Sequence, residues 1–364
     1  MRLFFFVKYF LNYSVFTLRF TYFVFMIRKI FVLLIFLAAF NATAQIGGKY
    51  TYEFLNLISS PRQAALGGKV LTNMDWDTSQ ALHNPSAINS DMDGQLALNF
   101  VNYFADINYG SLAYAHSFGE KKHIITAGIT YVDYGTFNGF DENGVSTGEF
   151  SGNEFALTVG YMYAVPESDL KIGANGKFIS SKLETYSSIG GALDLALLYD
   201  FKESNSQLTL VASNIGTQFT VYENTREKIP FHVDLAFGRK LDKLPLKWHV
   251  VFENLQQWDL SFSNPARAQI DLDGNSTSED ISFFNKLTQH LVVGGELFHG
   301  KAINLRFGYN FRRGHELKIE GNRVFAGITA GFGLKLNRFR VNYAFQKYSA
   351  AANVHTFGLN INLK

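Results

Sequence analysis

Long stretches of this chain alternate apolar and polar residues with a period of two, and this alternation constrains the fold more than any other feature of the sequence. In AINLRFGYNFR (302–312), apolar side chains occupy every second position, and Asn, Arg and Gly lie between them. RFRVNYAFQ (338–346) and HTFGLNINLK (355–364) follow the same pattern. Runs of about nine to eleven alternating residues suit a tilted strand that crosses a bilayer, whereas strands of soluble sheets usually have about five or six residues.

The alternation also predicts which side chains face lipid, because lipid-facing and lumen-facing residues alternate along the strands of a membrane barrel. The residues expected to face lipid are Leu305, Phe307, Phe357 and Leu359. The residues expected to face the lumen are Arg306, Arg340 and Asn360. Arginines that share a face with glycines and asparagines indicate a wet interior rather than a dry core.

About fourteen such segments follow one another, an even number as expected of a bacterial outer-membrane barrel. Their predicted spans are 95–104, 107–117, 122–134, 152–164, 169–183, 187–201, 206–215, 230–240, 245–255, 288–299, 301–312, 322–335, 337–347 and 353–363. Most junctions are short, but 135–152 and 257–289 are long, and such barrels have short periplasmic turns and longer extracellular loops. The sequence therefore predicts an all-β fold: a transmembrane antiparallel β-barrel of about 14 strands over residues 95–364.

Composition agrees with a barrel. The chain has 36 Phe, 18 Tyr and 31 Gly but 6 Pro, and charged residues make up 18%, below the usual quarter. Beyond the N-terminus, no apolar run is long enough to span a bilayer as a helix. A soluble β-sandwich repeat would give the same averages, so the length of the alternating segments carries the prediction.

The N-terminal part of the chain reads as a targeting segment. MIRKIFVLLIFLAAFNATAQ (26–45) has a basic start, an apolar stretch and an A-x-A cleavage motif at Ala42 and Ala44, ahead of Gln45. We expect residues 1–44 to be leader and signal peptide, with cleavage before Gln45 and delivery to the outer membrane. No Cys occurs in the sequence, which excludes a lipoprotein anchor, disulfides and thiolate metal sites.

Residues 1–25 add nothing to a signal peptide, and we interpret them as mis-started translation, with Met26 as the true start. The alternative is a two-helix membrane anchor, but Lys8 and Arg19 interrupt its first apolar segment. Removing residues 1–44 leaves 28 basic and 31 acidic residues, a net charge of −3. The sequence therefore gives no electrostatic support for nucleic-acid binding.

The sequence contains no constellation that supports an enzyme or a cofactor site. DLDGNSTSED (271–280) is similar to a calcium loop, but Gly274 comes too early for the required spacing. The nine His are scattered, and Gly67-Gly68 is not followed by the residues of a phosphate-binding loop. Asp75 and Asp77 are close in sequence, but no electrophile-binding group stands near them. We expect no metal, no cofactor and no catalytic residues.

The segment before the first predicted strand, 45–94, has the composition of a plug. Arg62, Gly67 and Gly68 stand in its first half, and the Asn84-Pro85 pair marks a turn in its second half. Six large apolar residues are spread over it, namely Phe54, Leu55, Leu57, Leu66, Leu82 and Ile88. An exposed linker would not need them. We therefore predict a plug or cap that packs against the barrel wall; the alternative is an ordinary linker.

The longest predicted loop contains FFNKLTQHL (283–291), in which Phe283, Phe284 and Leu287 recur at helical spacing. This pattern predicts a short amphipathic helix that packs on the barrel rim. Its functional interpretation is a docking site for a partner protein.

The segment 52–89 resembles the region before the first strand in the PorV/PorQ family of Bacteroidetes outer-membrane barrels. The matching elements are R-x-A-A-L-G-G (62–68) and Asn84-Pro85-Ser86-Ala87, with Ser86 where relatives usually have Ala. The middle segments SNIGTQF, KIPFHVDLAFGRKL and FENLQQWDL also look like that family's signatures. The resemblance covers essentially the whole chain after the leader.

The resemblance implies a fourteen-strand barrel related to the long-chain fatty-acid transporter barrels, with an N-terminal segment in or against the lumen. It also implies membership of the type IX secretion system. There such a barrel serves the surface attachment complex beside a sortase, a PorV-like shuttle barrel and a PorZ-like subunit that binds lipopolysaccharide. The barrel anchors this complex and is not its catalyst.

A second function stays open, a transporter of hydrophobic small molecules through a lateral opening. Such a gate needs a proline or a bulge within a wall strand. The six prolines fall in predicted turns or at strand starts, which argues against a gate.

Overall fold

The computed structural model describes residues 50–72, 76–119, 123–260, 269–270, 276–277, 282–317, 325–349 and 352–364. The predicted signal peptide, its cleavage motif and most of the calcium-loop-like segment 271–280 lie outside the described residues.

Fourteen antiparallel strands form one closed barrel, which confirms the predicted fold class. The strands are β1 (Gln95–Asn102), β2 (Asn108–Phe118), β3 (His123–Phe140), β4 (Ser146–Ala164), β5 (Leu170–Leu183), β6 (Tyr186–Phe201), β7 (Ser206–Thr220), β8 (His232–Lys240), β9 (Leu246–Phe252), β10 (Leu291–Leu297), β11 (Ile303–Asn310), β12 (Ile328–Leu336), β13 (Phe339–Lys347) and β14 (Asn353–Asn362). Each strand pairs with its neighbours in sequence, and β1 closes the wall on β14, with Leu98 opposite Leu359. Closure removes the free edges that open sheets expose.

The described residues also form three short α-helices and several single 3-10 turns, which lie outside the wall strands. The helices are α1 (Pro61–Ala65), α2 (Phe283–Gln289) and α3 (Phe311–Glu316). A two-residue ladder, Gln269–Ile270 with Ser276–Thr277, lies in the connection from β9 to β10. No helix among the described residues is long and apolar enough to cross a membrane.

The wall has an apolar outside and a polar inside, in the predicted register. Phe307 and Phe357 are about half exposed on the outer surface, and Leu305 points the same way. Arg306, which lies between Leu305 and Phe307 in the chain, is fully buried inside the barrel, and Asn360 of β14 is buried there too. A closed barrel with an apolar outer belt satisfies every backbone group within lipid, so this protein is an outer-membrane barrel.

The connections differ between the two ends of the barrel. At one end, which we call the turn end, short turns join the strands and the last residue, Lys364, lies beside Asp93. At the other end, the loop end, 253–290 and 311–327 form long connections. Short turns mark the periplasmic side of such barrels and longer loops the extracellular side.

The predicted loop 135–152 is wrong, because most of it is strand. β3 and β4 continue as a two-stranded ribbon beyond the wall, with Thr136 opposite Ser151 and the rings of Phe137 and Phe150 stacked 5.4 Å apart. The pairing of β3 with β2 ends at Asp133, so the ribbon projects past its neighbours at the loop end. Outside lipid both faces of a ribbon can be polar, and the alternation that marks a wall strand is lost.

Several strand ends also differ from prediction: β7 continues to Thr220 rather than 215, β9 ends at Phe252 rather than 255, and two further ends lie where a helix starts or ends. β11 ends at Asn310, whose side chain accepts the Arg313 N–H at 2.9 Å and so caps α3. β10 begins at Leu291 rather than 288, because α2 continues to Gln289.

Candidate functional site

The segment 50–94, which we call the plug, runs through the barrel from end to end. At the loop end the Thr51 N–H donates to the Lys228 carbonyl at 2.9 Å. At the turn end the Asp93 carboxylate accepts the Ser117 N–H at 2.8 Å and pairs with Lys364. The described parts of the plug are therefore fixed at both rims.

Glycines on the inner face of the wall make room for the plug. A Cβ at Gly308 would lie 2.2 Å from the backbone nitrogen of Gly67, and one at Gly173 would lie 2.4 Å from the backbone of Pro85. A Cβ at Gly358 would lie 2.6 Å from the Pro61 ring. These strands are separated around the barrel, so the plug touches the wall on several sides.

The apolar core of the described chain lies mainly between plug and wall. Each buried apolar cluster joins residues of both, as where Leu71 packs against Ala196, Val211 and Val251. Among the six apolar residues singled out in the sequence, Leu57 is half-buried and the other five are buried. Those five are Phe54, Leu55, Leu66, Leu82 and Ile88.

Gly67 and Gly68 end α1 inside the lumen. The Ser60 hydroxyl caps the start of α1, and Pro61 occupies its first position. At the end, Gly67 has φ 101° and the Gly68 N–H returns to the Gln63 carbonyl at 3.1 Å. A side chain at Gly67 would be strained by this φ and would also meet Val292, so the reversal requires glycine.

The Asn84-Pro85 turn is buried inside the barrel. The Asn84 side-chain oxygen accepts the Ser86 N–H at 3.0 Å, and its amide nitrogen donates to the Leu71 carbonyl at 2.5 Å. Pro85 begins the short 3-10 turn Pro85–Ala87 and lies against Gly173 of the wall. This motif joins two passes of the plug and seats them on β5.

Arg62 anchors the plug through a buried ion-pair network. Its guanidinium donates to one carboxylate oxygen of Glu296 at 2.8 Å, and Arg306 donates to the other at 2.9 Å. Arg306 also donates to the Asn342 side chain at 2.9 Å, and Asn342 donates to Asn360 at 3.0 Å. A single carboxylate thus links two arginines, one from the plug and one from the wall.

Arg340 also points into the lumen, as predicted. Its guanidinium lies 4.0 Å from the centre of the Trp76 ring in the plug, and Arg62 lies 5.9 Å from the same ring. Trp76 is buried, and the stacking of Arg340 on its ring is a cation–π contact between the wall and the plug.

A second polar arrangement, in which an aspartate accepts the backbone N–H of an asparagine, occurs in two successive hairpins. Asp194 accepts the backbone N–H of Asn214 at 2.8 Å, and Asp234 accepts that of Asn254 at 2.8 Å. Both asparagines have a left-handed φ, 59° and 61°. Each aspartate therefore fixes a strained backbone position on the neighbouring strand.

Each of these aspartates also pairs with a lysine. Lys177 of the wall lies 2.8 Å from Asp194, and Lys69 of the plug lies 3.1 Å from Asp234. The first pair joins two adjacent wall strands, β5 and β6, while the second joins the plug to the wall. The sequence did not indicate Glu296, Asp194 or Asp234, because their partners lie on other strands of the wall or on the plug.

The predicted docking residues lie on α2 at the loop end. Phe283 and Phe284 are 68% and 69% exposed, and Leu287 is half-buried. The Phe283 ring lies 5.3 Å from Trp258, which in turn stacks on His290 at 5.4 Å. Lys286 pairs with Asp259 at 2.7 Å and holds the helix beside this aromatic cluster.

The described residues bring no three potential metal ligands together. Asp194, Asp234 and Glu296 pair with lysines and arginines, so their charges are compensated, whereas the buried Glu154 accepts a hydrogen bond from the Tyr134 hydroxyl.

Among known proteins, this chain is similar to β-barrels whose structures have been solved. No family model matches the chain, and no curated protein matches it. The TodX monoaromatic hydrocarbon channel is 13% identical over 81% of this chain and 97% of that one, with a TM-score of 0.45. A Pseudomonas aeruginosa FadL homologue is 10% identical over 84% and 98%, with a TM-score of 0.46. The KdgM porin is 6% identical over 74% and 99%, with a TM-score of 0.29.

Proposed function

We propose that this protein is a plugged, non-catalytic scaffold barrel of the outer membrane, whose function lies at its loop end. The observation that carries the proposal is the anchoring of the plug. Buried ion pairs join Arg62 to Glu296 and Lys69 to Asp234, and the plug is fixed at both rims. Removing one partner of a buried pair leaves an uncompensated charge, so opening the lumen would be costly.

The loop end offers a surface suited to a protein partner. Phe283 and Phe284 are large apolar side chains that stand in the aqueous connection 253–290, away from the lipid belt. Contiguous exposed apolar groups of this kind mark interaction sites. Trp258 extends the same patch, and its contact with His290 ties the patch to the barrel.

We further propose that the partners are those of the type IX secretion attachment complex, in which this chain would take the PorQ role. The support is the resemblance of the sequence, carried by Arg62, Gly67-Gly68 and Asn84-Pro85. In the structure these residues anchor and turn the plug. On this proposal the barrel would hold a PorZ-like surface subunit beside the sortase and the PorV-like shuttle barrel.

The test replaces the exposed aromatic pair in the native host. Phe283→Ser with Phe284→Ser should reduce co-purification of the PorZ-like subunit and the amount of cargo attached to lipopolysaccharide. Val145→Ser is the matched control, because Val145 is also apolar, exposed and at the loop end but lies at the tip of the ribbon. Equal attachment in the double variant and the wild type, at equal barrel abundance, would reject α2 as the docking site.

A second candidate function, transport of a hydrophobic small molecule, rests on one observation. The pairing of β6 with β7 shifts register between Leu193 and Leu195, so Asp194 lies opposite both Ser213 and Asn214. This is the bulge that a lateral gate requires, and the sequence did not reveal it because no proline marks it. Asp194 fills the bulge by hydrogen bonds to the Asn214 N–H and to Lys177.

Transport is tested by opening this bulge. Asp194→Ala should raise the uptake of oleate into vesicles that contain the purified protein if the bulge is a gate. Asp234→Ala removes the matching contact of the next hairpin, which joins the plug to the wall, so higher uptake in that variant alone would place the route in the lumen and not at the bulge. Unchanged oleate uptake in Asp194→Ala would favour the scaffold.

A further inference from the structure

A cavity of about 370 Å³ lies at the turn end, apart from the plug and the loop-end surface. Three neighbouring turns form it, those that join β6 to β7, β8 to β9 and β10 to β11. Its charged and polar lining includes Lys240, Lys243, Lys301 and His299. Neither the ion pairs of the lumen nor the docking residues contribute to it.

Backbone hydrogen bonds between the turns fix the shape of this cavity. The Lys240 N–H donates to the Asn205 carbonyl at 2.9 Å and so joins the first turn to the second. The Phe298 N–H donates to the Pro245 carbonyl at 2.7 Å and joins the second to the third. The cavity is therefore preformed, and a ligand would not have to order it.

The lining is positively charged. Lys240, Lys243 and Lys301 form no ion pair with any carboxylate of the described residues. The Asp242 carboxylate accepts the Asn205 side-chain amide at 2.6 Å. Three ammonium groups thus face one carboxylate, which leaves the cavity with excess positive charge.

His299 also lines the cavity, and its imidazole donates a hydrogen bond to the Pro245 backbone carbonyl. Its Nδ1 is buried and forms no hydrogen bond within the described structure. Burial lowers the pKa of this imidazole, and the ammonium groups of Lys247 and Lys240 lower it further. The neutral imidazole has one N–H, which the Pro245 carbonyl accepts, so Nδ1 is an acceptor and His299 helps to shape the cavity without donating to an anion.

Part of the lining of the cavity is apolar. Leu241 and Leu244 contribute to the lining, and Leu244 is 58% exposed. Phe298, next to His299 in the chain, is exposed on the outer surface. A ligand that fits both sides carries an anionic group beside a hydrocarbon chain.

We propose that this cavity binds the phosphate headgroup of a phospholipid from the periplasmic leaflet. The three lysines would donate to phosphate oxygens, and Leu241 and Leu244 would contact the glycerol and the first acyl carbons. Charge-assisted hydrogen bonds to phosphate are the strongest contacts the cavity offers. Free inorganic phosphate has the same oxygens but would leave the leucines uncovered.

The experiment measures binding of dioctanoyl phosphatidylglycerol to the purified full-length barrel in non-ionic detergent, by native mass spectrometry. The triple variant Lys240→Gln, Lys243→Gln, Lys301→Gln should bind this lipid at least about tenfold more weakly, the equivalent of one lost charged contact. Lys202→Gln, Lys335→Gln, Arg338→Gln is the matched control. It removes the same charge from the same end outside the cavity, and its affinity should equal that of the wild type.

Three results would overturn the proposal. The first is an equal loss of affinity in both triple variants, which would mean general electrostatic attraction. The second is equal binding of uncharged dioctanoylglycerol, and the third is displacement of the lipid by an equal concentration of inorganic phosphate. If the triple variant does not fold, Lys243→Glu alone provides the test, because Lys243 is exposed at the mouth of the cavity. It should weaken binding of the lipid, and an unchanged affinity would reject the site.

Discussion

Phe307 and Ile303 both point from β11 toward lipid, but they lie at different depths. Phe307→Arg places a charge near the middle of the strand and should cost about 2–4 kcal/mol of unfolding free energy, because midplane charges lose their hydration. Ile303→Arg, at the turn end of the same strand, should cost about 0–1 kcal/mol. Urea titrations of refolding into vesicles measure both. Equal costs would contradict the depth assigned to β11.

Glu296 is the shared partner of Arg62 and Arg306, and all three side chains are buried. Glu296→Gln keeps the shape but leaves two buried guanidinium groups facing a neutral amide, which should cost about 3–5 kcal/mol of unfolding free energy. The control is Lys202→Gln, which breaks the exposed pair with Asp169 and should produce no measurable change. Urea unfolding in lipid measures the contrast, and similar midpoints for the two variants would count against a buried network.

Asp93 predicts a pH dependence at the base of the plug. Burial alone would raise the pKa of this carboxyl, but Lys364 and the hydrogen bonds from Ser117 lower it to about 2. Because the folded pKa is depressed, the contact stabilises the plug at neutral pH and is lost as pH falls from about 4 to 2. The protection of the Ser117 amide against hydrogen exchange, relative to its intrinsic rate at each pH, should fall over that range. In Asp93→Ala, which removes the acceptor, protection should already be low at pH 7, and a well-protected amide there would contradict the contact.

At the scale of elements, the plug decides whether the barrel conducts. Deletion of 50–90 should raise the conductance of the barrel in planar bilayers to small ions, because the described lumen is otherwise filled by plug side chains. Deletion of the ribbon tip, 138–147, is the control and should leave conductance unchanged. If deletion of the plug changes neither conductance nor cargo attachment, the segment is only a linker.

Elements within lipid could be predicted from the sequence because one physical rule applies to every residue in them. β5 was predicted at 169–183 and lies at Leu170–Leu183, since lipid and lumen impose opposite polarity on alternate side chains. The ribbon of β3 and β4 extends into water, where that rule does not hold, and it was missed. α3 was missed for a different reason: Phe311 continues the alternation, but Asn310 caps a helix there.

The candidate site was only partly predictable. Apolar content and the Gly67-Gly68 pair indicated a plug, since both are local properties of the sequence. The ion pairs depend on which strands become neighbours around the lumen: Arg62 and Glu296 stand 234 residues apart. Neither periodicity nor spacing encodes that distance, so the residues that fix the plug appear only in the folded barrel.

At the scale of the whole molecule, one residue, Gly358, packs against both the strand that closes the wall and the plug. Gly358 lies in β14 at the seam with β1, and a Cβ there would lie 2.6 Å both from the Asn99 side chain and from Pro61 of the plug. Gly358→Ala should therefore cost about 1–3 kcal/mol by overpacking. Gly176→Ala is the control, because its nearest neighbours would lie 4.0 Å away. Gel mobility of unheated samples across a urea series reports the folded fraction, and equal midpoints would refute the crowding.

The plug also has a consequence for the order of events in biogenesis. Its buried charges meet partners on β8 and β10, its helix packs on β12 and β13, and its two ends are held at opposite rims. A finished cylinder offers no side entrance through which such a segment could reach those partners. We therefore expect the strands to gather around the plug while the seam between β1 and β14 is still open. The N-terminal segment would then serve as a mould during assembly, with the last hydrogen bonds of the wall formed over an interior that is already complete.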